Sequence, residues 1–400
     1  MGGAGAIMTG DTMDPKRRAA GHFESAAGKL EDISRWMYEH PELSMAEFET
    51  SAALTAFLSE HGFEVEHPAY GIETAFAARA GTGGPEVIVC AEYDALPSVG
   101  HACGHNLIAT AALGTAVALR PLVDELGIRL TILGTPAEET HGGKVDLIHA
   151  GAFTDVAAAL MVHPTPEDLA DPAELAIRHI EVTFLGKESH AAMAPHLGIN
   201  ALDAFVQAYV NISTLRQALP PTDLVHGIIT HGGEAPNIIP ARTRSSWYLR
   251  ATTSGRLAAL YEKVMACFEG AAIATGCTFE IEEPGHAFDN LKSNPLLVDL
   301  FVANCAELGR KMPRRAEALS EAGGSTDMGN VSHVVPAIQP TLGLYSGNIV
   351  NHQPEFAAYT LTPSGTRMMR DGALAMAWTI IDLAVGNRWH ELGTHGTALP

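Results

Sequence analysis

The sequence predicts a two-domain α/β fold: a mostly parallel sheet with helices on both faces, plus a smaller inserted α+β domain. Three short apolar runs of buried-strand type, at 86–91, 129–134 and 157–162, are separated by helical stretches at 106–126 and 143–150. Strand and helix alternating in this way are typical of parallel strands joined by crossover helices. Further along, the order becomes strand, helix, strand, strand, helix, strand, which indicates a ferredoxin-like unit.

The remaining elements follow from the same periodic signals and from helix-ending residues such as Gly62. The change of pattern places one domain at 1–175 together with 290–400, and an inserted domain at 176–289. Further helices are expected at 15–43, 47–61, 200–219, 256–274, 296–308 and 361–385, and further strands at 63–66, 74–80, 177–185, 224–230, 243–251, 278–283 and 337–344.

Composition limits the classes of function. The 400 residues include 46 acidic and 25 basic side chains, which give a formal net charge of −21. Such an acidic surface argues against nucleic acid and anionic membranes as partners. The five cysteines are widely spaced and do not suggest a disulfide scaffold. The first ten residues lack the basic segment and apolar core of a secretion signal, and no apolar run reaches the ~18 residues that a membrane span needs. Because the cysteines also suggest a reducing compartment, we expect a cytoplasmic protein without a membrane span.

Polar side chains follow each of the three apolar runs. Cys103 and His105 lie two apart in a glycine-containing loop, Glu138 and Glu139 are adjacent, and His163 directly follows the third run. Residues that follow parallel strands meet at the carboxyl edge of the sheet, where such folds place their sites. Thiolate, imidazole and carboxylate are ligands of divalent ions, and a second carboxylate can move protons. The pattern therefore predicts metal-assisted hydrolysis.

Several of these residues also fit simpler roles. Cys103 can be a buried structural thiol, or a nucleophile with His105 as its base, although two residues of one tight turn are poorly placed for that attack. The adjacent carboxylates can be ordinary acids at a helix N-terminus. We interpret Lys144 as a solvent-exposed charge at the start of a helix, and Asp327 can be a helix cap.

A set of short motifs along nearly the whole chain resembles the co-catalytic metallopeptidase family of aminoacylase, carboxypeptidase G and succinyl-diaminopimelate desuccinylase. The similarity is closest to the amidohydrolase branch, which includes aminobenzoyl-glutamate hydrolase, auxin-conjugate hydrolases and dipeptidases. The motifs are HPELS from His40, DALP from Asp94, HACGH from His101, PAEE from Pro136, VHP from Val162, SHAA from Ser189, NIIP from Asn237, GSTDMG from Gly324 and NHQPEF from Asn351.

The resemblance implies a site for two divalent metal ions, with a general base and separate groups for the substrate. Zn²⁺ and Mn²⁺ suit the ligand types best, and Co²⁺ or Ni²⁺ also fit them. The implied metal ligands are Cys103, His105, Glu139, His163 and His352. The implied catalytic residues are Glu138, as the general base, and His190, which would stabilise the oxyanion of the reaction intermediate. The implied substrate-binding residues are Asn237 and Arg250. Asp94 and Asp327 are implied to support the metal ligands without binding metal themselves.

The resemblance also assigns roles to the two domains. The domain at 1–175 and 290–400 is expected to bind metal and carry catalysis, and the insert at 176–289 to act as a lid. Through the insert the chain is expected to form a homodimer or higher homo-oligomer, and His190 then acts either at its own site or at that of a neighbour. Asn106 and the segment 140–144 are more similar to the aminobenzoyl-glutamate and dipeptidase members than to auxin-conjugate hydrolases.

The expected function is hydrolysis of the amide bond of a small N-acyl amino acid, an aminobenzoyl-glutamate-like conjugate or a dipeptide. A water that bridges the two ions attacks, and Arg250 holds a free carboxylate of the substrate. One alternative is the same site acting on another C–N bond, such as deamination of an aryl amine. Another is a non-catalytic, metal-dependent binding protein, against which the intact Glu138 argues.

Overall fold

The computed structural model describes residues 14–317 and 323–393. Residues 1–10, for which the sequence predicts no secretion signal, lie outside these ranges. Two sheets, of six and four strands, and a separate pair of short strands organise the described chain. Among the helices of these ranges, none is long and apolar enough to cross a membrane.

The secondary structure elements are numbered in chain order. The strands are β1 (Glu64–Glu66), β2 (Phe76–Ala80), β3 (Glu86–Ala91), β4 (Arg129–Gly134), β5 (Val156–Leu160), β6 (His163–Thr165), β7 (Ala176–Leu185), β8 (Leu224–His231), β9 (Arg242–Ala251), β10 (Thr278–Glu282), β11 (Ala337–Ile338) and β12 (Thr341–Gly343). The helices are α1 (Pro15–Glu39), α2 (Phe48–Glu60), α3 (His105–Leu119), α4 (Val123–Leu126), α5 (Gly143–His149), α6 (Ala201–Arg216), α7 (Ser254–Thr275), α8 (Pro295–Glu307), α9 (Met328–Val334), α10 (Pro354–Tyr359) and α11 (Pro363–Val385).

The larger sheet has the strand order β1-β2-β4-β3-β5-β11. The central strand β3 is parallel to both β4 and β5, and β11 is parallel to β5. The strands β1 and β2 join antiparallel at the other edge. The three apolar runs therefore form the predicted parallel centre of the sheet, and the predicted fold class is confirmed.

Helices cover both faces of this sheet. Val87 and Val89 of β3 belong to one apolar core with residues of α1, α3 and α11. Ile88 and Cys90 of the same strand belong to a second core with residues of α5 and α9. Because successive side chains of a strand point to opposite faces, the two cores lie on opposite sides of the sheet. The strand ends that carry the predicted site are thus held between two packed layers.

The strand predicted at 337–344 is interrupted. The structure has two short strands there, β11 and β12, and β12 pairs in parallel with β6. Pro340 lies between them and has no amide hydrogen to donate to a ladder. Its carbonyl still accepts a hydrogen bond from the backbone N–H of His163 at 3.1 Å. The interruption therefore places His163 in a separate short strand pair next to the end of β5.

A buried ion network ties this strand pair to the helices. Arg310, shortly after α8, donates from Nη1 to Asp168 Oδ1 at 2.8 Å and from Nε to Asp371 Oδ2 of α11 at 2.7 Å. Asp168 also accepts from the backbone N–H of Gly343 in β12 at 2.7 Å. The three charged side chains are at most 4% exposed. The stability of each buried charge therefore depends on the oppositely charged groups and hydrogen-bond donors around it.

The smaller sheet has the order β10-β7-β9-β8, and all its pairings are antiparallel. The helices α6 and α7 contribute to its core, in which Trp247 is fully buried. The Asn200 side chain caps α6 by accepting from the Leu202 amide at 2.9 Å, and Thr253 caps α7. The chain order of strands and helices in this unit is the ferredoxin-like order that the periodicity predicts.

Substituting Arg310 tests the buried network. Arg310→Met is expected to lower the free energy of unfolding by about 3–5 kcal/mol, because it removes the buried cation that contacts both carboxylates. Urea unfolding followed by circular dichroism measures this change. Arg388→Met is the matched control, because Arg388 pairs with Glu391 at the surface and little change is expected there. Equal effects of the two substitutions would contradict the role assigned to Arg310.

Candidate metal centre and active site

The loop that carries Cys103 lies against the segment that follows β5. Gly104 has a φ of +82°, and a Cβ at this position would lie 2.4 Å from Pro164 Cγ. Glycine is therefore required both by the backbone conformation and by the close approach. As a result, Cys103 Sγ lies 3.4 Å from His163 Nε2, and His105 begins α3 directly behind the loop.

The carboxylate pair reaches the same point from the end of β4. Ala137 has a left-handed backbone with φ of 61°, and the turn that follows carries Glu138 and Glu139. His105 Nε2 lies 3.9 Å from Glu138 Oε2 and 3.7 Å from Glu139 Oε1. His352, from the loop after β12, places its Nε2 3.8 Å from Glu139 Oε2. Four separate segments of the chain thus converge.

The five predicted ligands form two donor groups that share one sulfur. Cys103, His105 and His163 form one group, and Cys103, Glu139 and His352 form the other, with the donor atoms of each within 4.8 Å of one another. His105 Nε2 and Glu139 Oε1 are buried without a hydrogen-bond partner among the described residues. Thiolate, imidazole and carboxylate suit borderline divalent ions. The residues present therefore fit a site that would hold two divalent ions.

Asp94 orients the imidazole of His105. His105 Nδ1 donates to Asp94 Oδ1 at 2.9 Å, which leaves Nε2 facing the donor groups. The other carboxylate oxygen accepts from Ser44 Oγ at 2.7 Å and from the Glu139 backbone N–H at 3.0 Å. Burial alone would raise the pKa of Asp94, but the charge of His105 and these hydrogen bonds hold the pKa at about 2. The geometry agrees with the predicted position of Asp94 behind a ligand.

The interpretation of Lys144 as a solvent-exposed charge is wrong. Its side chain is fully buried, and Nζ lies 2.5 Å from Glu92 Oε1 and 2.6 Å from Asp327 Oδ1. Because α5 begins inside the fold, beside the strand ends, an ammonium there needs carboxylate partners. Burial would lower the pKa of Lys144, but the charges of Asp327 and Glu92 raise it above its ordinary value.

Asp327 is also more than the helix cap considered from sequence. It precedes α9, but its side chain makes no capping hydrogen bond to that helix. Instead Oδ2 accepts from the backbone N–H of Lys144 at 2.9 Å, while Oδ1 contacts the Lys144 ammonium. Lys144 thus links Asp327 to Glu92, and Glu92 in turn lies beside the donor groups. Asp327 therefore contacts the site through Lys144 and Glu92, which agrees with the supporting position that the resemblance implies for it.

Glu92 belongs to the site although the sequence analysis did not select it. Its Oε2 lies 3.5 Å from His105 Nε2 and has no hydrogen-bond partner within the described ranges. With His105 and Glu138 it forms another group of closely spaced donors. A sequence signal did exist, because Glu92 directly follows the apolar run of β3 and lies two residues before Asp94. Residues two apart on an extended chain point to the same side.

Glu138, the first of the two adjacent carboxylates, lies beside the donor groups. Its carboxyl lines the cavity above the donor groups, and its side chain is 9% exposed. Burial raises the pKa of Glu138 well above the ordinary value, and the charges of Glu92 and Glu139 raise it further. A carboxyl group with a raised pKa can accept a proton from water and later deliver it to a leaving group.

A cavity of about 540 Å³ opens over these residues. Its walls come from the carboxyl edge of the larger sheet and from β7 and β9 of the smaller one. The His179 and Tyr248 rings stack with centroids 4.4 Å apart and form an aromatic part of the wall. The cavity is lined on one side by Glu138, His163 and His352, and on the other by His179, Tyr248 and Arg250.

Two opposite charges lie in this cavity without pairing with each other. Arg250 of β9 donates from Nη1 to Ser325 Oγ at 2.9 Å. Glu174, just before β7, lines the same cavity but forms no ion-pair contact with Arg250 in the described structure. Burial raises the pKa of Glu174 to about 7, although the charge of Arg250 and a backbone hydrogen bond to Gly324 act in the opposite direction. Both groups are therefore available to a charged ligand.

His190 and Asn237 do not line this cavity. Both are exposed, and they lie next to each other, since the Ala191 N–H donates to the Asn237 carbonyl at 3.0 Å. His190 Nδ1 accepts from the backbone N–H groups of Ala192 and Met193, each at 3.2 Å. Within one chain, the five predicted ligands, Glu138 and Arg250 therefore lie in or beside one cavity. His190 and Asn237 do not. The catalytic and substrate roles of His190 and Asn237 stay predictions.

The sequence model of peptidase family M20/M25/M40 matches residues 88–373, which include most of the site. The chain belongs to this family. It is a metal-dependent hydrolase, and the resemblance seen in its motifs is confirmed. The alternative of a non-catalytic, metal-dependent binding protein is therefore not supported.

Individual relatives cover most of the chain. The Xaa-Arg dipeptidase of Mus musculus is 40% identical over 388 residues, 92% of this chain and 88% of the relative. One of the p-aminobenzoyl-glutamate hydrolase polypeptides of Escherichia coli (strain K12) is 32% identical over 279 residues, 64% of this chain and 58% of the relative. A crystal structure of the Bacillus subtilis YXEP protein, described as a dinuclear metal binding peptidase, has a TM-score of 0.66 at 20% identity, over 90% of this chain and 99% of that one.

Replacing the shared sulfur distinguishes a ligand from a nucleophile. Cys103→Ser is expected to weaken metal binding, and excess metal should restore part of the activity, because the other four ligands remain. Metal content after dialysis and activity titrated with Zn²⁺ or Mn²⁺ measure these effects. Cys267→Ser, at a half-buried thiol outside the donor groups, should keep the wild-type metal content. A covalent acyl group trapped on Cys103 would contradict the ligand role.

Proposed function

We propose that the chain hydrolyses the amide bond of a dipeptide, or of a related N-acyl amino acid, whose leaving residue has a free carboxylate and a cationic side chain. The observation that carries this proposal is the cavity that contains Glu138, Arg250 and Glu174 together. Glu138 supplies a proton acceptor, Arg250 a partner for a carboxylate, and Glu174 a partner for a cation. A small substrate with one amide and two charged ends matches these three groups.

Glu138 moves the protons in the proposed reaction. When bound, two divalent ions lower the pKa of water and polarise the scissile carbonyl. Glu138 accepts a proton from the attacking water and then donates it to the leaving nitrogen. Burial and neighbouring carboxylates raise its pKa, which favours the second transfer. The water contributes its oxygen to the new carboxylate, and the amine leaves with the returned proton.

Arg250 is proposed to bind the free carboxylate of the leaving residue. A guanidinium presents several N–H donors in one plane and can bind a carboxylate through two hydrogen bonds. Its hydrogen bond to Ser325 fixes part of the side chain before substrate arrives. Preorganised donors lose less conformational entropy on binding. The free carboxylate thereby orients the scissile amide toward Glu138.

Glu174 is proposed to select a cationic side chain. The mouse relative is named for dipeptides that end in arginine, and it is the more similar of the two curated relatives compared above. A leaving glutamate, as in aminobenzoyl-glutamate, would bring a second carboxylate near Glu174 and is disfavoured by charge repulsion. Glu174 therefore supports a basic leaving residue over an acidic one.

The metal ions are proposed to be Zn²⁺ or Mn²⁺, with Co²⁺ and Ni²⁺ as functional substitutes. The Cys103 thiolate favours borderline ions, while Glu139 and the imidazoles also suit Mn²⁺. We also propose a cytoplasmic location, because the cysteines are free in the described structure and a reducing compartment keeps them so.

A homodimer through the smaller sheet is proposed to complete the site. His190 and Asn237 lie together on the surface of this unit, away from the cavity of their own chain. Exposed apolar side chains of the same unit, including Val206, Val210 and Ile228, offer a surface for association. In such a dimer these two polar residues would serve the cavity of the partner, and mass measurement by light scattering tests the assembly.

Removing the proton acceptor should separate chemistry from metal binding. Glu138→Gln is expected to keep the metal content and to lower kcat by at least ~10²-fold, the usual scale for loss of a general base. Rates on Ala-Arg with metal content measured in parallel provide the comparison. Glu280→Gln changes an exposed carboxylate of β10 and should leave both quantities unchanged. Turnover near the wild-type rate in a metal-loaded Glu138→Gln protein would rule out this role.

Exchanging the cation partner should change selectivity more than overall rate. Glu174→Gln is expected to lower the ratio of kcat/KM for Ala-Arg over Ala-Leu by roughly 10-fold or more, the scale of a hydrogen bond to a charged group. In the wild type this ratio should rise as the pH increases through about 7, because Glu174 loses its proton there and becomes the charged partner. In Glu174→Gln the ratio should not depend on pH.

Using a ratio removes effects that the two substrates share, including titration of Glu138 and of the metal ligands. Arg250→Lys is the complementary variant and should raise KM for both dipeptides while metal affinity stays unchanged. Amidating the substrate carboxylate should cost about 1.5–3 kcal/mol in kcat/KM. A selectivity ratio that falls with rising pH, or that Glu174→Gln leaves intact, refutes selection by Glu174.

A further inference from the structure

A second cluster of metal-binding side chains lies at the rim of the cavity and shares no residue with the ligand set described above. His141 lies in the turn after the carboxylate pair, and Asp146 lies in the first turn of α5. His286 lies in the linker that returns the chain from β10 to α8. His141 Nε2 lies 2.8 Å from Asp146 Oδ2, and His286 Nε2 lies 2.7 Å from Asp146 Oδ1.

The backbone holds the two segments of this cluster together. The His286 N–H donates to the His141 carbonyl at 2.9 Å. The preceding Gly285 packs so closely that a Cβ there would lie 2.5 Å from the Thr140 carbonyl oxygen. The two imidazole rings have centroids 5.0 Å apart. Their spacing is therefore set by backbone contacts and does not depend on the side chains alone.

The donor types and their spacing suit a divalent ion. Each residue contributes one donor atom, and the three atoms lie within 4.8 Å of one another. Two imidazole nitrogens and one carboxylate form a three-ligand set that leaves a position open for water or another ligand. The three side chains are 32–35% exposed, so an ion can enter from solvent. Without an ion, the same carboxylate simply accepts hydrogen bonds from both rings.

We propose that His141, Asp146 and His286 bind one divalent ion of the zinc type, in addition to the ions at the Cys103 groups. Each imidazole binds through Nε2 in its neutral form with its proton on Nδ1, so a protonated ring releases one proton to solvent. His286 belongs to the linker that follows β10 of the smaller sheet, and Asp146 belongs to α5, which packs against the larger sheet. The ion thus joins the two units at a rim where Thr140 and His286 line the cavity.

Counting bound ions tests this site without measuring activity. The full chain is loaded with Zn²⁺, dialysed, and analysed by inductively coupled plasma mass spectrometry. The double variant His141→Gln/His286→Gln is expected to hold one zinc ion fewer per chain than the wild type. His61→Gln is the matched control, because its ring bonds to the Phe57 carbonyl and belongs to none of the donor groups. It should keep the wild-type zinc content.

Cobalt distinguishes this ion from those that contact sulfur. Compared with the double variant, the wild type should bind one more Co²⁺ ion. That ion should add d–d absorption but no thiolate-to-cobalt charge transfer, because His141, Asp146 and His286 include no cysteine. Crystals of the wild type soaked in Zn²⁺ should show an anomalous peak between His141, Asp146 and His286, and this measurement does not depend on the folding of any variant. Equal zinc content in the wild type and the double variant, or anomalous peaks only at the Cys103 groups, would overturn the proposal. Neither result bears on the proposed hydrolysis.

Discussion

The buried negative charge beside Cys103 is the constraint on which the rest of the site depends. Glu92, Asp94, Glu138 and Asp327 are almost without solvent exposure, and within the described residues Lys144 is the ammonium that contacts this cluster. Buried carboxylates are stable only with hydrogen bonds, cations or metal ions as partners. Two divalent ions would supply that compensation, and metal binding would then stabilise the folded strand ends.

The same constraint explains why the interior on this side of the sheet is polar. Lys144 offsets Glu92 and Asp327, while Asp94 is stabilised by His105 and by donors from two loops. The charges left uncompensated are those nearest the donor groups, and there burial and mutual repulsion raise the pKa of Glu138. A proton acceptor with a raised pKa thus results from the arrangement that holds the metal ligands.

The groups proposed for the reaction and those proposed for substrate recognition come from different parts of the fold. Glu138 and the predicted ligands follow strands of the larger sheet or belong to the β6–β12 pair and the loop after it. Arg250 comes from the smaller sheet, and Glu174 from the segment that leads into it. The linker pairs with the start of β7, since the Ile177 and Phe288 backbones exchange hydrogen bonds at 3.0 and 2.9 Å. In the proposed function, the position of the smaller unit therefore decides how the substrate's charged groups lie relative to Glu138. Changes in that unit would then alter selectivity while Glu138 and the predicted ligands are kept.

Apolar periodicity, glycine positions and the types of ligand are local properties. The sequence by itself therefore predicted the parallel centre of the sheet, the ferredoxin-like order, and Cys103, His105 and the adjacent carboxylates as candidate site residues. Contacts through space are not encoded locally. Lys144 occupies a helix start that is exposed in many proteins, and only the packing of α5 against the strand ends made it a buried ion. Glu92 joins the site because its carboxylate lies near His105, and Glu174 because two distant segments form one cavity. Whether His190 reaches a site depends on distances between units or chains, and those distances follow from tertiary and quaternary packing.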